Sequence, residues 1–308
     1  MNPNIVFMGS PEFAAPTLRR LGAAYNVSAV VTQRDKAKGR GRVLSPTPVK
    51  VEAEKQGIPV AHIDAMSPQE AAEFLAGLRP DFIVVVAFGR ILRPEVLRIP
   101  PYGCVNLHAS LLPRHRGPSP IPAAILAGDA NTGVTTMLMD EGVDTGDILL
   151  RRSIPIGERD TAGTLHDKLA ELGAELMLET VEGMLSKAIA PTPQDHSQAT
   201  YTRLLSKADG KIDWRRDAGY LDRLTRAMNP WPCAYCEFEG QPLKILEAAA
   251  APGSGAPGRI ERIEGEKIAV GTGHGVLYLN VVQPPGKPPM SAGAFARGRR
   301  LTCGYTFS

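Results

Sequence analysis

The chain has 308 residues, of which 43% are hydrophobic and 22% are charged. This length is well above that of a common single domain, so we expect two domains, and the composition argues against global disorder. The sequence has no apolar run of the roughly 18 residues that a membrane helix needs and no signal-peptide pattern at its start. We therefore expect a cytoplasmic protein with no membrane association.

The net charge of +3 hides an uneven distribution. Residues 207–308 carry 14 Lys and Arg against 10 Asp and Glu, a net charge of +4. A short segment near the N-terminus also has a net charge of +4, since only Asp35 opposes Arg34, Lys36, Lys38, Arg40 and Arg42. The remainder of the chain is acidic. Two basic features on an acidic body predict a polyanionic partner, although a solvated loop and an average basic domain would have the same charge.

The first 150 residues alternate strand patterns with helical ones. A helix is predicted at 13–24, and strands are predicted at 5–8, 27–32, 81–88, 103–107 and 135–139. Another helix should begin at Ser67-Pro68-Gln69-Glu70, which combines an N-cap, a proline at the first helical position and a glutamate three residues after the cap. Strands that alternate with helices predict an α/β fold with a Rossmann-like, doubly wound sheet.

The pattern changes after the long helix predicted at 161–188. Residues 189–206 lose the helical period and contain Pro191 and Pro193, which predicts a linker. Several short strands follow, with Glu239-Gly240 as a hairpin turn, and predict a small C-terminal β-barrel (OB-like) or sandwich. We therefore expect domains at 1–188 and 207–308, joined by a linker at 189–206.

The first predicted strand-to-helix turn contains one glycine, Gly9, where a dinucleotide-binding fingerprint has three. Pro11 removes a backbone N–H, and Glu12 places a carboxylate near any pyrophosphate. The turn therefore disfavours a nicotinamide-dependent oxidoreductase, despite the expected topology.

A polar pair lies near the end of the strand within 103–121 (GCVNLHASLLPRHRGPSPI). Asn106 and His108 share one face of this strand, while Val105 and Leu107 point into the core. The strand opens into a Pro-rich loop, which is where doubly wound sheets bind ligands. An amide that donates to an oxyanion and an imidazole that moves or stabilises a proton suit acyl transfer. Considered alone, Asn106 would more simply cap a turn, and His108 would more simply be a partly buried histidine.

The chain lacks the usual motifs of covalent acyl transfer. It has no G-x-S-x-G and no Cys–His pair suited to nucleophilic catalysis. This is consistent with direct attack by a substrate amine on an activated acyl donor.

Residues 140–147 (DEGVDTGD) place four carboxylates within eight positions. The four could bind a hard cation through oxygen ligands. Alternatively, Asp144 could lie beside His108 and hold its orientation, or Asp147 could cap the turn at Gly146. Spacing alone does not decide among these alternatives.

The chain has four cysteines, and Cys233 and Cys236 form a C-x-x-C. A zinc site needs a second pair of ligands, and neither Cys104 nor Cys303 has a Cys or His nearby at ligand spacing. We therefore expect no metal, and a turn entering a strand at this motif.

Together, five segments make the chain resemble the folate-dependent formyltransferases: FMGSPEFA (7–14), GRGRVLSPTPVK (39–50), VNLHASLLPRHRG (105–117), MDEGVDTGDIL (139–149) and RAMNPWPCAY (226–235). The family shares the strand, SLLP and DTGD elements, which imply its donor chemistry. The basic loop and the NPWP-bearing C-terminal domain are similar to those of members that act on tRNA. Variation at 114–116 and 118–120, beside the motif, leaves Asn106, His108 and Asp144 intact.

The resemblance implies an enzyme that formylates the α-amine of methionine on initiator tRNA, for translation initiation. The donor would be 10-formyltetrahydrofolate, a co-substrate, and no metal would take part. In the catalytic domain at 1–188, Asn106 would donate to the oxyanion, His108 would assist charge and proton transfer, and Asp144 would orient His108.

The same resemblance assigns binding residues. The folate pocket would be formed with Ser110, Leu111, Leu112 and Pro113. Phosphate or base contacts to tRNA would come from the basic loop and the barrel, through Arg34, Lys36, Lys38, Arg40, Arg42, Arg297, Arg299 and Arg300. We expect the loop at 34–48 to be mobile until it orders against the tRNA acceptor end, and we expect a monomer.

Two further alternatives remain at this stage. A relative that formylates a sugar-nucleotide or purine-precursor amine would share Asn106, His108 and Asp144, but would leave the basic loop and barrel without a purpose. A non-catalytic tRNA-binding protein would use the loop and barrel, but would leave the polar pair on the strand unexplained.

Overall fold

A computed structural model describes residues 2–38 and 43–308. The chain divides into two compact units. One comprises Met1–Pro120, Asn131–Pro155 and His166–Thr202, and the other comprises Ile121–Ala130, Ile156–Leu165 and Arg203–Ser308. Among the described residues, no helix is both long enough and apolar enough to cross a membrane.

The first unit is built on a mixed sheet. Its strands are β1 (Asn4–Gly9), β2 (Asn26–Val31), β3 (Lys36–Lys38), β4 (Val43–Ser45), β5 (Val60–Ala61), β6 (Phe82–Val86), β7 (Cys104–His108), β8 (Asn131–Leu138) and β9 (Ile148–Pro155). The main sheet has the order β5-β2-β1-β6-β7-β8-β9, while β3 and β4 pair with each other. Neighbours are parallel from β5 to β7 and antiparallel from β7 to β9. The expected Rossmann-like fold is confirmed, with an antiparallel extension that the strand pattern did not specify.

Helices lie between these strands along the chain, and one follows β9. They are α1 (Ala15–Ala24), α2 (Pro48–Lys55), α3 (Pro68–Gly77), α4 (Pro94–Leu97), α5 (Pro120–Ala127), whose residues from 121 onward belong to the second unit, and α6 (Ala162–Leu185). The predicted capping box starts α3, because Ser67 Oγ accepts from the Glu70 N–H at 3.3 Å and Glu70 Oε2 accepts from the Ser67 N–H at 2.7 Å. This reciprocal pair satisfies N–H groups that have no partner within the helix.

Both faces of the central strands are buried. On one face, Val6 and Met8 of β1 and Ile83 and Val85 of β6 join one apolar cluster with Leu75 of α3. On β7, Leu107 lies against α6, where a Cβ on Gly173 would come within 2.6 Å of the Leu107 side chain. A glycine at this position therefore lets α6 approach the strand that carries the polar pair.

The second unit contains an antiparallel sheet. Its remaining elements are α7 (Ala218–Ala227), β10 (Ala234–Phe238), β11 (Gln241–Ala251), β12 (Ile260–Glu264), β13 (Lys267–Gly271), β14 (Val276–Gln283), β15 (Met290–Ser291) and α8 (Ala292–Arg299). The strand order is β10-β11-β14-β13-β12, with β15 paired to β14. As predicted, Glu239 and Gly240 form the turn between β10 and β11, both with positive φ.

Residues 304–308 connect the two edge strands of this sheet. Beside β12, the Ile260 N–H donates to the Tyr305 carbonyl at 2.7 Å and the Phe307 N–H donates to the Gly258 carbonyl at 2.8 Å. Beside β10, the Glu237 N–H donates to the Ser308 carbonyl at 2.6 Å. The predicted small β-barrel is thereby closed, and both edges are paired.

The predicted linker at 189–206 has a 3₁₀ turn at His196–Gln198 and is otherwise irregular. Its residues up to Thr202 belong to the first unit. Thr192 pairs with Ile148 of β9, and Tyr201 forms a bridge with Arg116. Much of this segment is therefore hydrogen-bonded to the first unit.

Candidate active site

The polar pair lies on β7, between β6 and β8. Asn106 stands opposite Val85 and Met137 in the two ladders, and His108 stands opposite Thr135. Asn106 is half-buried. Within the part of the chain that the structure describes, no other residue hydrogen-bonds to its carboxamide. Its N–H groups are therefore available to a bound ligand.

His108 is buried, and an acceptor faces each of its ring nitrogens. Nε2 lies 2.9 Å from the backbone oxygen of His115, and Nδ1 lies 3.5 Å from Oδ2 of Asp144. Both neighbours are acceptors, so the protonated ring, which carries two N–H groups, can donate to both.

Asp144 reaches His108 from a tight turn after β8. Its φ of 54° lies in the left-handed region, which Asp tolerates better than most residues. Its Oδ2 accepts from the Gly117 N–H at 2.7 Å. The structure thus brings Asn106, His108 and Asp144 together at the carboxyl end of β7.

Asp140, in the same acidic segment, is hydrogen-bonded to neighbouring residues. Thr145 Oγ1 donates to both carboxylate oxygens of Asp140, at 2.7 and 2.9 Å, and the Gly142 N–H donates to Oδ1 at 3.0 Å. Across the described residues, no three His, Cys, Asp or Glu side chains are grouped so that they could hold a metal ion.

A cavity of about 110 Å³ lies next to Asp144. Its walls are largely apolar, and they are formed by Arg90, Ile91, Leu92, Met137, Met139, Asp140, Gly142, Val143 and Asp144. Ile91 and Val143 are exposed by 74% and 51%, which is unusual for large hydrophobic side chains. Residues 90–92 were not predicted from the sequence. The available signal was their position after β6, since the carboxyl ends of neighbouring parallel strands meet at one sheet edge.

The residues assigned to the folate pocket shape the loop beyond His108. Ser110 is buried, and its Oγ donates to the Arg114 carbonyl at 2.6 Å. The Leu112 N–H donates to Thr135 Oγ1 at 3.2 Å, and the Leu112 carbonyl accepts from Arg151 at 3.0 Å. In the described part of the chain, the lining of the cavity does not include Ser110, Leu111, Leu112 or Pro113.

The basic loop is partly outside the described residues, which exclude Arg40 and Arg42. On either side, β3 and β4 form a short antiparallel pair. Lys36 Nζ donates to Gln33 Oε1 at 2.7 Å, and the Arg34 N–H donates to Asp64 at 3.4 Å.

The three barrel arginines expected to contact tRNA, Arg297, Arg299 and Arg300, lie at the end of α8. Arg297 pairs with Glu266 at 2.7 Å. Arg299 lies 3.7 Å from Glu239 and 5.7 Å from the centre of the Phe238 ring. Such exposed pairs contribute little to stability and leave the guanidinium groups able to contact phosphate.

The C-x-x-C cysteines face the interior of the second unit. Cys233 and Cys236 are both buried, and Cys233 Sγ lies 3.0 Å from the Pro230 carbonyl. Burial raises the pKa of Cys236 to about 12. A protonated, buried thiol is a poor metal ligand and a poor nucleophile.

Comparison with known proteins gives matches along almost the whole chain. The profile of the family "Formyl transferase" matches residues 4–181, and that of "Formyl transferase, C-terminal domain" matches residues 204–300. The methionyl-tRNA formyltransferase of Citrifermentans bemidjiense is 48% identical over 301 residues, which are 97% of this chain and 95% of the relative. That of Heliobacterium modesticaldum is 48% identical over 314 residues, 98% of this chain and 99% of the relative.

Solved structures share the fold at lower identity. WlaRD, a sugar 3N-formyl transferase crystallised with dTDP and 5-N-formyl-THF, has a TM-score of 0.68 and 17% identity, covering 94% of this chain and 100% of that one. HypX from Aquifex aeolicus in complex with tetrahydrofolic acid has a TM-score of 0.63 and 19% identity over 96% of this chain. The chain spans about half the length of HypX, 47% of it.

Proposed function

The chain belongs to the formyl transferase family, and we propose that it transfers a formyl group from 10-formyltetrahydrofolate to the α-amine of methionyl initiator tRNA. The observation that carries the proposal is the cluster of Asn106, His108 and Asp144 beside an apolar cavity. The identity of nearly half its residues with methionyl-tRNA formyltransferases supports the choice of acceptor.

The donor would place its flat ring system in the cavity of residues 90–92 and 137–144. Apolar walls favour such a ring, while polar groups at the rim can recognise its nitrogen and oxygen atoms. In this arrangement the loop at 110–113 contributes by holding the backbone beyond β7, since Ser110 and Leu112 are buried and hydrogen-bonded there. The formyl group would then lie at Asn106 and His108.

Each residue of the cluster has a role that its contacts allow. The substrate amine forms a C–N bond to the formyl carbon, and the C–N bond to folate breaks. Asn106 donates an N–H to the formyl oxygen as negative charge develops on it. His108 keeps its Nε2 bond to the His115 carbonyl, and its Nδ1, which faces Asp144 at 3.5 Å, is available to stabilise that charge and to assist the movement of a proton from the attacking amine to the departing folate nitrogen. The proton lost by the attacking amine is gained by the folate nitrogen, so this step involves no metal ion.

The acceptor would be held by the two basic features, through the loop of Arg34, Lys36, Lys38, Arg40 and Arg42 and through Arg297, Arg299 and Arg300 of the barrel. We propose that residues 1–188 carry the chemistry, that residues 207–308 bind tRNA, and that the protein acts as a monomer. Binding should weaken steeply with salt, because the contacts displace counterions from phosphates.

A formyl-transfer assay tests the proposal. Wild-type protein, 10-formyltetrahydrofolate and methionyl initiator tRNA should yield formylmethionyl-tRNA, whereas Asn106→Ala should be slower by about 100- to 1,000-fold, as expected for loss of an oxyanion donor. Parallel reactions should contain a sugar-nucleotide amine and a purine-precursor amine. Formylation of a small amine in preference to charged tRNA would contradict the assigned acceptor and identify the alternative.

A further inference from the structure

The Arg116 side chain is fully buried. Among residues 2–38 and 43–308, no carboxylate lies within ion-pair distance of its guanidinium. Its partners are side chains without a carboxylate, and one of them is His196, whose Nδ1 lies 3.2 Å from Nη2. Nε and Nη2 donate to Gln194 Oε1 at 3.2 and 2.7 Å, and Nη1 donates to the Tyr201 hydroxyl at 3.2 Å. Burying an unpaired charge is unfavourable, so a structure that retains one has to satisfy it by hydrogen bonds.

Gln194 connects this guanidinium to the turn that carries Asp144. Its Oε1 accepts from Arg116, and its Nε2 donates to the carbonyls of Asp144 at 3.0 Å and Gly146 at 2.7 Å. A guanidinium only donates and a carbonyl only accepts, so the group between them must do both. A carboxamide has this capacity, whereas a carboxylate has no N–H to give the two carbonyls.

The contacts of Gln194 and Arg116 extend to both groups that face His108, the Asp144 carboxylate and the His115 carbonyl. The Asp144 carbonyl is held by Gln194, and the Asp144 carboxylate is held by the Gly117 N–H. The backbone of Arg116 is paired with the segment that contains Gln194, through Thr200 at 2.9 Å and Thr202 at 2.7 Å. The His115 carbonyl, which receives the His108 Nε2 bond, immediately precedes Arg116 in the chain.

Close packing restricts movement between the loop at 115–117 and the residues at 200–202 that pair with it. Gly117 has a φ of 102°, and a Cβ added there would lie 2.7 Å from the Thr202 carbonyl. The His115 N–H also donates to Thr200 Oγ1 at 2.8 Å. Residues 192–202 therefore pack directly against the loop that carries His115 and Gly117 and orients the His108 imidazole.

We propose that Arg116 and Gln194 are positioning residues, which set the placement of Asp144 and the His115 carbonyl around His108. Segment 192–202 is thus part of the catalytic apparatus and more than a spacer between units. This inference rests on the proposed function, because it gives the two residues their effect through Asp144 and His108. Neither residue is assigned contact with a substrate.

The test is Gln194→Glu. A glutamate has the shape of glutamine and keeps the oxygen that accepts from Arg116, but it places an oxygen, which cannot donate, opposite the carbonyls of Asp144 and Gly146. We expect kcat for formyl transfer to fall by about 10- to 100-fold, as for small displacements of catalytic groups, with KM for both substrates within about threefold of wild type. Gln69→Glu is the matched control, since it makes the same change at an exposed position of α3, outside this segment. It should retain wild-type kcat.

A double-mutant cycle separates positioning from a general structural effect. In an Asp144→Asn background, Gln194→Glu should have almost no further effect on kcat, because the carboxylate that it displaces is already gone. Multiplicative losses in the double variant, or a KM increase in place of the kcat loss, would overturn the inference. Wild-type kcat in Gln194→Glu would do the same.

A second variant covers the case in which Gln194→Glu does not fold, as judged by its thermal transition. Thr200→Val preserves shape and removes the acceptor of the His115 N–H, and it should lower kcat by about three- to tenfold at unchanged KM. Unchanged kcat would overturn the proposal. Failure of the proposed function would be visible separately, as absence of methionyl-tRNA formylation by the wild type. The same variants would then be compared with whichever amine the wild type formylates.

Discussion

The backbone oxygen of His115 accepts a hydrogen bond from Nε2 of His108 at 2.9 Å. This contact turns the other ring nitrogen toward Asp144, at 3.5 Å. Because a carbonyl lies on one side and a carboxylate on the other, the ring has one orientation in which both nitrogens face acceptors. The plane and direction of the imidazole are therefore set before any substrate binds.

Removing this ring should affect catalysis far more than binding. We expect His108→Ala to lower the single-turnover rate of formyl transfer by about 100- to 10,000-fold, the usual range for loss of an acid–base group. The affinity for charged tRNA should stay near that of wild type. His274→Ala changes an exposed histidine and serves as the control. A near-normal single-turnover rate in His108→Ala would refute the catalytic assignment.

A charge in the cavity wall should weaken folate binding. Val143 lines the cavity and is 51% exposed, so Val143→Asp is compatible with folding. Loss of an apolar contact, together with a charge facing a bound ring, should raise the folate Kd at least about tenfold in a fluorescence titration. Leu204→Asp, at a hydrophobic residue that is 75% exposed and does not line the cavity, should leave the Kd unchanged. Equal effects of the two changes would place the folate site elsewhere.

The basic loop should affect tRNA and leave folate unaffected. Arg42 lies outside the described residues, and its expected role comes from the charge pattern of the sequence together with the family resemblance. Arg42→Ala should raise KM for charged tRNA, and the slope of log K against log salt should decrease by about 1, as for one lost phosphate contact. Arg98→Ala, at an exposed position outside the loop, is the control. An equal loss of folate affinity in Arg42→Ala would contradict the assignment.

Closure of the barrel should depend on Phe307. Its side chain is buried and packs near Trp214, Phe238 and Tyr305. Phe307→Ala should reduce the free energy of unfolding by about 3–5 kcal/mol, measured by denaturant titration of the transition assigned to the second unit. The exposed Thr302 provides a control in Thr302→Ala, which should change the free energy by less than about 0.5 kcal/mol. A loss below about 1 kcal/mol for Phe307→Ala would mean that residues 304–308 do not hold the barrel closed.

The cysteines should differ in reactivity according to burial. Burial raises the pKa of both Cys104 and Cys236 to about 12, so at pH 8 these thiols stay protonated, and only well above that pH would the reactive thiolate form. Alkylation of the native protein at pH 8, located by mass spectrometry, should modify the exposed Cys303. Cys104, Cys233 and Cys236 should react only after unfolding. Rapid modification of Cys236 in the native protein would show that the C-x-x-C is accessible.

Local patterns were sufficient for much of the fold. The capping box at Ser67 and Glu70 involves residues three positions apart, and the alternation along β7 involves every second residue. Such patterns follow from backbone geometry within a few residues, so they can be derived without knowing the rest of the chain. The antiparallel pairing of β8 and β9 was not derivable in this way, because strand direction depends on how the whole connection folds back.

The same distinction between local patterns and long-range contacts applies to the candidate active site. From the sequence alone came the pairing of Asn106 with His108, the basic loop and barrel, and the family resemblance, because these lie in contiguous motifs. The tertiary structure decided that Asp144 faces His108, that the cavity is lined by residues 90–92, and that Gln194 joins Arg116 across 78 positions. Such contacts depend on which strand ends and loops lie close together in the folded chain. The spacing of residues along the sequence does not determine those distances in space.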